Sequence, residues 1–195
     1  MRIFNSCKSA KHSLILCRHK FSMVNSFLAD QVYRIHKSSH GIYPLDQELA
    51  LIGKKGEEFC GPGIFFLYFK TQLVYIGSFF PRDKNRDVRN ERVNKEIATI
   101  SMRGARVSLN AAAIKAKNNS QHLKNIKSNQ SGDFLSSKKR IEFADNHWGE
   151  LKTNDFLSHF SFCWIKNNHN PKVTSKQLTA IKKELINFYK PLCNG

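Results

Sequence analysis

The sequence predicts an α+β fold in which a small central sheet of about three strands, antiparallel or mixed, is flanked by helices. Two apolar runs, GIFFLYF and LVYIG, stand on either side of the short polar break KTQ and predict a β-hairpin over residues 63–78. Aromatic residues alternate with smaller ones from Phe160 to Trp164, which predicts a third strand over 159–166. Apolar residues at helical spacing before, between and after these runs predict the flanking helices.

Helical structure is predicted both before the hairpin and directly after it. Phe27, Val32 and Ile35 recur at helical spacing, and similar spacing continues towards residue 58, so we expect a helical N-terminal segment over 25–60. Residues 86–100 repeat apolar side chains between Arg, Asn, Lys and Glu, which predicts an amphipathic helix directly after the hairpin.

The last predicted helix has signals at both of its ends. Thr174, followed three residues later by Gln177, has the form of a capping box, and Pro191 predicts the end of the helix. Four apolar residues at helical spacing lie between these signals and predict its buried stripe: Leu178, Ile181, Leu185 and Phe188.

The chain divides by composition into an N-terminal extension over 1–24, the helical segment over 25–60 and a main domain over 61–195. A basic insertion over 101–150, rich in Asn, Ser and Gln, interrupts the main domain. Its length and polarity are typical either of a solvated linker, mobile or weakly helical, or of a loop that contacts DNA.

The extension over 1–24 is basic, contains serines and has no acidic residue. Such a composition is compatible with a mitochondrial transit peptide, with a basic arm that lies on nucleic acid, or with a natural start at Met23. We expect a cytoplasmic protein, and a mitochondrial one if the extension is a transit peptide.

The net charge points to the class of partner. Lys and Arg number 32 against 15 Asp and Glu, a formal net charge of +17, which favours a polyanion such as nucleic acid as partner. The 5 cysteines form no C-x-x-C pair, so a disulfide framework or zinc ribbon is not expected and a reducing compartment is favoured. No apolar run approaches the roughly 20 residues of a membrane helix, so no membrane partner is expected.

The hairpin also carries a recognisable pair of tripeptides, Gly63-Ile64-Phe65 and Tyr75-Ile76-Gly77. Together with the ending Tyr189-Lys190-Pro191-x-x-Asn194, their spacing resembles the signature of the GIY-YIG endonucleases. The resemblance covers about 61–109 and 156–195. It implies a GIY-YIG-like sheet and metal-assisted hydrolysis of phosphodiester bonds in DNA, most readily double-stranded, with Mg²⁺ or Mn²⁺ as cofactor.

The resemblance also implies roles for individual residues. Tyr75 matches the tyrosine that positions or deprotonates the attacking water, and Arg92 matches the arginine that stabilises charge on the phosphate, with Arg89 as the alternative. The transition state gains negative charge, so a fixed guanidinium and a divalent cation act most strongly at that moment. A tyrosine has an ordinary pKa near 10, so it needs neighbouring positive charge to act as a base at neutral pH.

Three positions depart from the family pattern. Phe65 stands at the first tyrosine, Glu96 at a position where many members have histidine, and Lys182 where a metal-binding glutamate is expected. Tyr68 cannot replace the missing hydroxyl because its odd offset from Phe65 points it to the opposite face of the strand. Glu184 is then the candidate metal ligand. Other possibilities are Glu142, Glu150 or no metal site at all.

The sequence therefore supports three functions. The first is an active DNA endonuclease, the second a catalytically degenerate DNA-binding module on the same fold, and the third a basic RNA-binding protein. The candidate nucleic-acid contacts are Arg89, Arg103, Arg106, Lys138, Lys139, Arg140, Lys182 and Asn194.

Overall fold

A computed structural model describes residues 22–37, 47–54, 56–83, 85–101, 132–167 and 173–194. The strands are β1 Ser22–Leu28, β2 Tyr33–Lys37, β3 Gln47–Leu51, β4 Gly63–Phe69, β5 Gln72–Phe79 and β6 Phe160–Lys166. The α-helices are α1 Ala29–Val32, α2 Asn94–Ile100, α3 Gly132–Asn146, α4 Trp148–Leu151 and α5 Ser175–Tyr189. A π-helical turn, Arg89–Val93, leads into α2, and 3-10 turns cover Glu57–Phe59 and Phe156–His159.

Among the described residues, the central sheet has four antiparallel strands in the order β1-β6-β4-β5. The predicted hairpin is confirmed as β4 and β5, and the predicted third strand as β6. A mixed α+β architecture is therefore shown, with one strand more than expected. The additional strand is β1, which pairs along β6 and places Phe27 opposite Phe162, with stacked rings whose centroids are 5.2 Å apart.

The expectation of a helical segment over 25–60 is wrong, because α1 is the only α-helix among the described residues of that range, which otherwise form mainly strands. β2 and β3 form a second antiparallel pair in which Tyr33 faces Leu51 and Ile35 faces Leu49. Sparse apolar residues in this stretch match a period of two nearly as well as one of 3.6. In the folded chain β1 pairs with β6, and β2 pairs with β3. These pairings favour strands over a helix, since β-propensity reflects packing more than local preference.

Helices cover both faces of the sheet, and every residue of β4 is buried as a result. On one face, which we call the α5 face, Leu178, Ile181 and Leu185 pack on Ile64 and Phe66. On the other, the Tyr75 face, the larger core joins strand residues to those of the π-helical turn, α2 and α3: Phe65, Leu67, Val93, Ile97, Phe143 and Ala144. The described part of the predicted insertion, residues 132–150, therefore contributes side chains to the core. This part of the insertion is not a solvated linker.

The last helix begins and ends where the sequence predicts. The Gln177 amide donates to the Thr174 hydroxyl (3.2 Å), and the Gln177 side chain accepts from the Thr174 amide (2.8 Å), so the capping box is complete. Lys190 then adopts a left-handed conformation and Pro191 follows. Phe188 does not join the predicted buried stripe, because it remains 71% exposed.

Two further observations concern the cysteines and the membrane. Cys163, in β6, is disulfide-bonded. Within the ranges described above, no helix is both long enough and apolar enough to cross a bilayer.

Candidate functional site

Both glycines of the hairpin signature make room for aromatic rings. A Cβ on Gly77 would lie 2.2 Å from Cζ of Phe65, which is its partner across the strands. A Cβ on Gly63 would lie 2.5 Å from the Trp164 ring and 2.4 Å from the Ile165 carbonyl oxygen. Any side chain at either position would therefore displace a buried ring or backbone. The signature glycines thus have a packing role that does not depend on catalysis.

The Tyr75 ring lies on the same face as the Phe65 ring, and their centroids are 6.0 Å apart. A bulge precedes Tyr75, because Leu67 pairs with Tyr75 while Tyr68 pairs with Leu73, which leaves Val74 as the extra residue. Bulges of this kind re-aim side chains at sheet edges and near functional sites. Tyr68 lies in the core of the α5 face, so the prediction that it cannot stand in for Phe65 is confirmed.

Tyr75 belongs to a polar cluster formed with α2 and α3. The Glu96 carboxylate lies near its hydroxyl and interacts with it electrostatically. Arg140 Nη2 donates to Glu96 Oε2 at 2.8 Å, and the Arg140 guanidinium lies 5.0 Å from the centroid of the Tyr75 ring. The Arg140 and Glu96 side chains are only 14% and 16% exposed, so this pair is largely shielded from water.

The pKa of Tyr75 is raised well above its ordinary value. Burial of the phenol is the main cause and the Glu96 carboxylate adds to it, while the charges of Arg140 and Arg92 act in the opposite direction. The phenol is therefore protonated at neutral pH. These surroundings raise the pKa of the phenol, whereas the predicted role in deprotonating water needs surroundings that lower it.

The two candidate arginines have different environments. Arg92 is exposed, and its charge acts on Tyr75. Arg89 is buried, its Nη2 lies 2.6 Å from Asp87 Oδ2, and its guanidinium lies 3.8 Å from the Phe59 ring centroid. The Tyr33 hydroxyl donates to the Arg89 carbonyl oxygen at 3.1 Å. Arg89 therefore does not offer the exposed cation expected of an alternative phosphate ligand, and Arg92 does.

The candidate metal ligands do not gather around Tyr75. Glu184 and Lys182 lie on α5, which packs on the α5 face, so the sheet separates both from the Tyr75 cluster. Glu150 pairs with Lys70, which lowers the Glu150 pKa, and Glu142 lies 3.7 Å from Lys138 on the exposed side of α3.

Among the described residues, no group of three or more His, Cys, Asp or Glu side chains could hold a metal ion. The carboxylate that does lie at Tyr75 is Glu96, and Arg140 already neutralises it. Mg²⁺ requires near-octahedral oxygen ligands, usually with one or two free carboxylates. The described residues around Tyr75 therefore do not fit Mg²⁺ or Mn²⁺ in this arrangement.

The remaining candidate contacts fall into three groups. Lys138 is exposed on α3, while Lys139 Nζ donates to the Asn194 carbonyl oxygen at 2.6 Å. Asn194 is buried, and its side chain accepts from the Ile76 amide (2.7 Å) and donates to the Ile76 carbonyl (3.1 Å). It holds the C-terminal segment on the outer edge of β5 and is not presented to a ligand. Arg103 and Arg106 lie outside the described residues.

The contribution of Arg140 to the Tyr75 cluster was not predicted. Sequence reasoning placed it among diffuse nucleic-acid contacts, because the insertion had no expected position relative to the sheet. One signal was present: Phe143 and Ala144 follow Arg140 at spacings of three and four, which puts all three on one helix face. That spacing identifies a residue on the buried side of α3, although it cannot identify Glu96 as its partner.

Comparison with family models, curated proteins and solved structures finds no match to this chain. The geometry described above is therefore the basis for the functional proposal.

Proposed function

We propose that this protein binds double-stranded DNA as a catalytically degenerate module with a GIY-YIG-like sheet. The net charge of +17 supports a polyanionic partner. The Tyr75 face offers exposed cations at Arg92 and Lys138, beside a cluster that has lost the hydroxyl of the first tyrosine at Phe65. Binding of this kind uses phosphate contacts, which need exposed Lys and Arg side chains but no metal.

The pairing of Glu96 with both Tyr75 and Arg140 is the observation that carries this proposal. Metal-assisted hydrolysis needs a carboxylate for the cation and a guanidinium for the phosphate. In this cluster the carboxylate and the guanidinium neutralise each other, and burial, with a smaller contribution from the same carboxylate, raises the pKa of the phenol. The arrangement therefore supports a stable polar cluster better than a hydrolytic centre.

The binding proposal is tested by fluorescence anisotropy of a labelled DNA duplex titrated with the full chain at several salt concentrations. We expect the logarithm of the binding constant to fall linearly with the logarithm of the salt concentration. Arg92→Gln should weaken binding and reduce the salt slope by about 1, since it removes one phosphate contact. Lys183→Gln is the matched control, because Lys183 is exposed on α5, across the sheet.

Binding that does not respond to salt, or equal losses for Arg92→Gln and Lys183→Gln, would contradict a DNA interface on the Tyr75 face. A double-stranded RNA of the same sequence serves as competitor in the same assay. If the RNA competes better than the DNA duplex, the partner is RNA and the proposed DNA specificity is wrong.

The convergence of Tyr75, Arg92 and Glu96 supports a second candidate, the endonuclease itself. These three side chains supply a hydroxyl, an exposed guanidinium and a carboxylate on one face of the sheet. Incubation of supercoiled plasmid with Mg²⁺ or Mn²⁺ separates the two candidates. Nicking by the wild type that is lost in both Tyr75→Phe and Arg92→Ala supports the endonuclease, whereas uncut plasmid under conditions of tight binding supports the binding module.

A further inference from the structure

Arg140 uses a small part of its hydrogen-bonding capacity to bind the Glu96 carboxylate. A guanidinium has five N–H donors in a planar fork, which suits bidentate binding of a carboxylate or a phosphate. Arg140 uses Nη2 towards one oxygen of Glu96, while its Nε is buried and has no hydrogen-bond partner. A buried donor without a partner is costly, so this guanidinium lies in an arrangement that a second acceptor would improve.

Glu96 also interacts with a neutral group that does not depend on Arg140. Its carboxylate lies near the Tyr75 hydroxyl, which remains beside it when the guanidinium is withdrawn. Arg92 is exposed and acts electrostatically on the same phenol, so a second cation is available to an anion that approaches this cluster. The cluster thus has one internal anion and two cations.

We propose that the Glu96–Arg140 pair is a gate on a phosphodiester-binding site, in which a backbone phosphate of bound nucleic acid replaces Glu96 on the Arg140 guanidinium. This inference rests on the proposed function, because the phosphate comes from the bound duplex. The incoming phosphate offers two oxygens to Nε and Nη2, which matches the geometry of bidentate arginine–phosphate pairs. Arg92 provides the second contact to the backbone.

The gate has a direct consequence for affinity. Glu96 competes with phosphate for Arg140 and also repels it as a like charge, so the acidic side chain weakens binding although it lies in the binding site. Removing the Glu96 charge should therefore tighten DNA binding, which is the opposite of what loss of a purely structural residue would do. Breaking the Glu96–Arg140 pair should also make binding depend more steeply on salt concentration, since Arg140 can then contact a phosphate without first losing its carboxylate partner.

The experiment compares three variants of the full chain by anisotropy of the labelled duplex. Glu96→Gln should tighten binding about tenfold and raise the salt slope by about 1, the change expected for one phosphate contact. Glu184→Gln is the control, because it removes the same charge from an exposed position on α5, across the sheet, and should change affinity by no more than about twofold. Arg140→Gln should weaken binding, and in its presence Glu96→Gln should tighten binding by less than it does in the wild type, because only the like-charge repulsion is then removed.

Equal affinities for Glu96→Gln and Glu184→Gln would contradict the proposed gate while leaving DNA binding by the wild type intact. Absence of salt-dependent binding by the wild type would instead overturn the proposed function and the gate together. The two failures are therefore distinguishable.

Glu96→Asp keeps the test decisive if Glu96→Gln does not fold, with folding checked by circular dichroism and thermal unfolding. Aspartate keeps the net charge and shortens the side chain, so its pair with Arg140 is weaker. A folded Glu96→Asp protein with tighter binding supports the gate. A folded one with unchanged binding contradicts it.

Discussion

The two faces of the central sheet are covered by helices in different ways. On the α5 face, Leu178, Ile181 and Leu185 close over strand residues, and the buried contacts are apolar. On the Tyr75 face, two ion pairs lie among the core residues: Asp87–Arg89, which is almost fully buried, and Glu96–Arg140, which is largely buried.

Apolar contacts stabilise a helix against a sheet with little directional preference, whereas a buried ion pair loses hydration and gains stability only in one arrangement. The α5 face therefore supports the fold. The Tyr75 face carries ionisable groups in a specific arrangement, for which we propose a role in nucleic-acid binding.

Breaking the Asp87–Arg89 pair should give the largest effect on stability. Asp87→Asn leaves the Arg89 guanidinium buried with no counter-ion, and we expect it to lower the free energy of unfolding by about 3–5 kcal/mol. Urea unfolding followed by circular dichroism measures the change. Glu91→Gln is the control, because it breaks the exposed Arg86–Glu91 pair (3.5 Å) and should cost no more than about 0.5 kcal/mol. Similar losses for both variants would show that burial does not distinguish these pairs.

On the α5 face, the predicted apolar stripe contains a buried residue, Leu185, and an exposed one, Phe188, whose effects on stability can be compared. Leu185→Ala should lower the free energy of unfolding by about 2–5 kcal/mol, because it leaves a cavity against the sheet. Phe188→Ala should change the same free energy by no more than about 0.5 kcal/mol, since its ring is exposed. A large loss for Phe188→Ala would mean that an additional contact covers that ring.

The contribution of the Tyr75 face to folding stability should decrease at alkaline pH, whereas apolar packing alone would give no such dependence. The pKa of Tyr75 is raised in the folded state, so its contribution to stability is fully present below the ordinary pKa near 10 and is lost as the pH rises above it. Tyr33, with a raised pKa, and Cys193, whose pKa burial raises to about 12, contribute in the same direction.

Tyr75→Phe should therefore make the decline of stability with pH shallower by up to about 1.4 kcal/mol per pH unit between about pH 10 and 12, because one proton fewer is lost on unfolding. Urea unfolding at a series of pH values measures this slope. Leu178→Val, on the α5 face, is the control and should lower stability by a constant amount. An identical slope for wild type and Tyr75→Phe would contradict the raised pKa.

The smallest effect concerns the start of α5. Thr174→Ala removes the hydroxyl that accepts from the Gln177 amide and should lower the free energy of unfolding by about 1 kcal/mol. Ser175→Ala, one residue further on, provides the control, because that side chain makes no capping contact to the helix. Equal stabilities for the two variants would show that the capping box does not help to hold α5 on the sheet.

Local signals in the sequence were sufficient to predict those elements whose defining residues lie close together along the chain. The apolar runs GIFFLYF and LVYIG on either side of a short polar break define the hairpin. Thr174 and Gln177 likewise define the start of α5, because both partners of the capping box lie within one turn. β1 could not be predicted in this way, since Phe27 has its partner, Phe162, on a strand far along the chain.

The sequence by itself thus determined the hairpin, the last helix, the positive charge and the absence of a hydroxyl at Phe65. Only the tertiary structure decided that Glu96 meets Arg140 beside Tyr75, and that Glu184 lies across the sheet from them. The physical reason is that periodicity reports which side of a helix is apolar, but not which face of the sheet that helix will cover. Glu96 and Arg140 are 44 residues apart, and no local signal connects them before the chain folds.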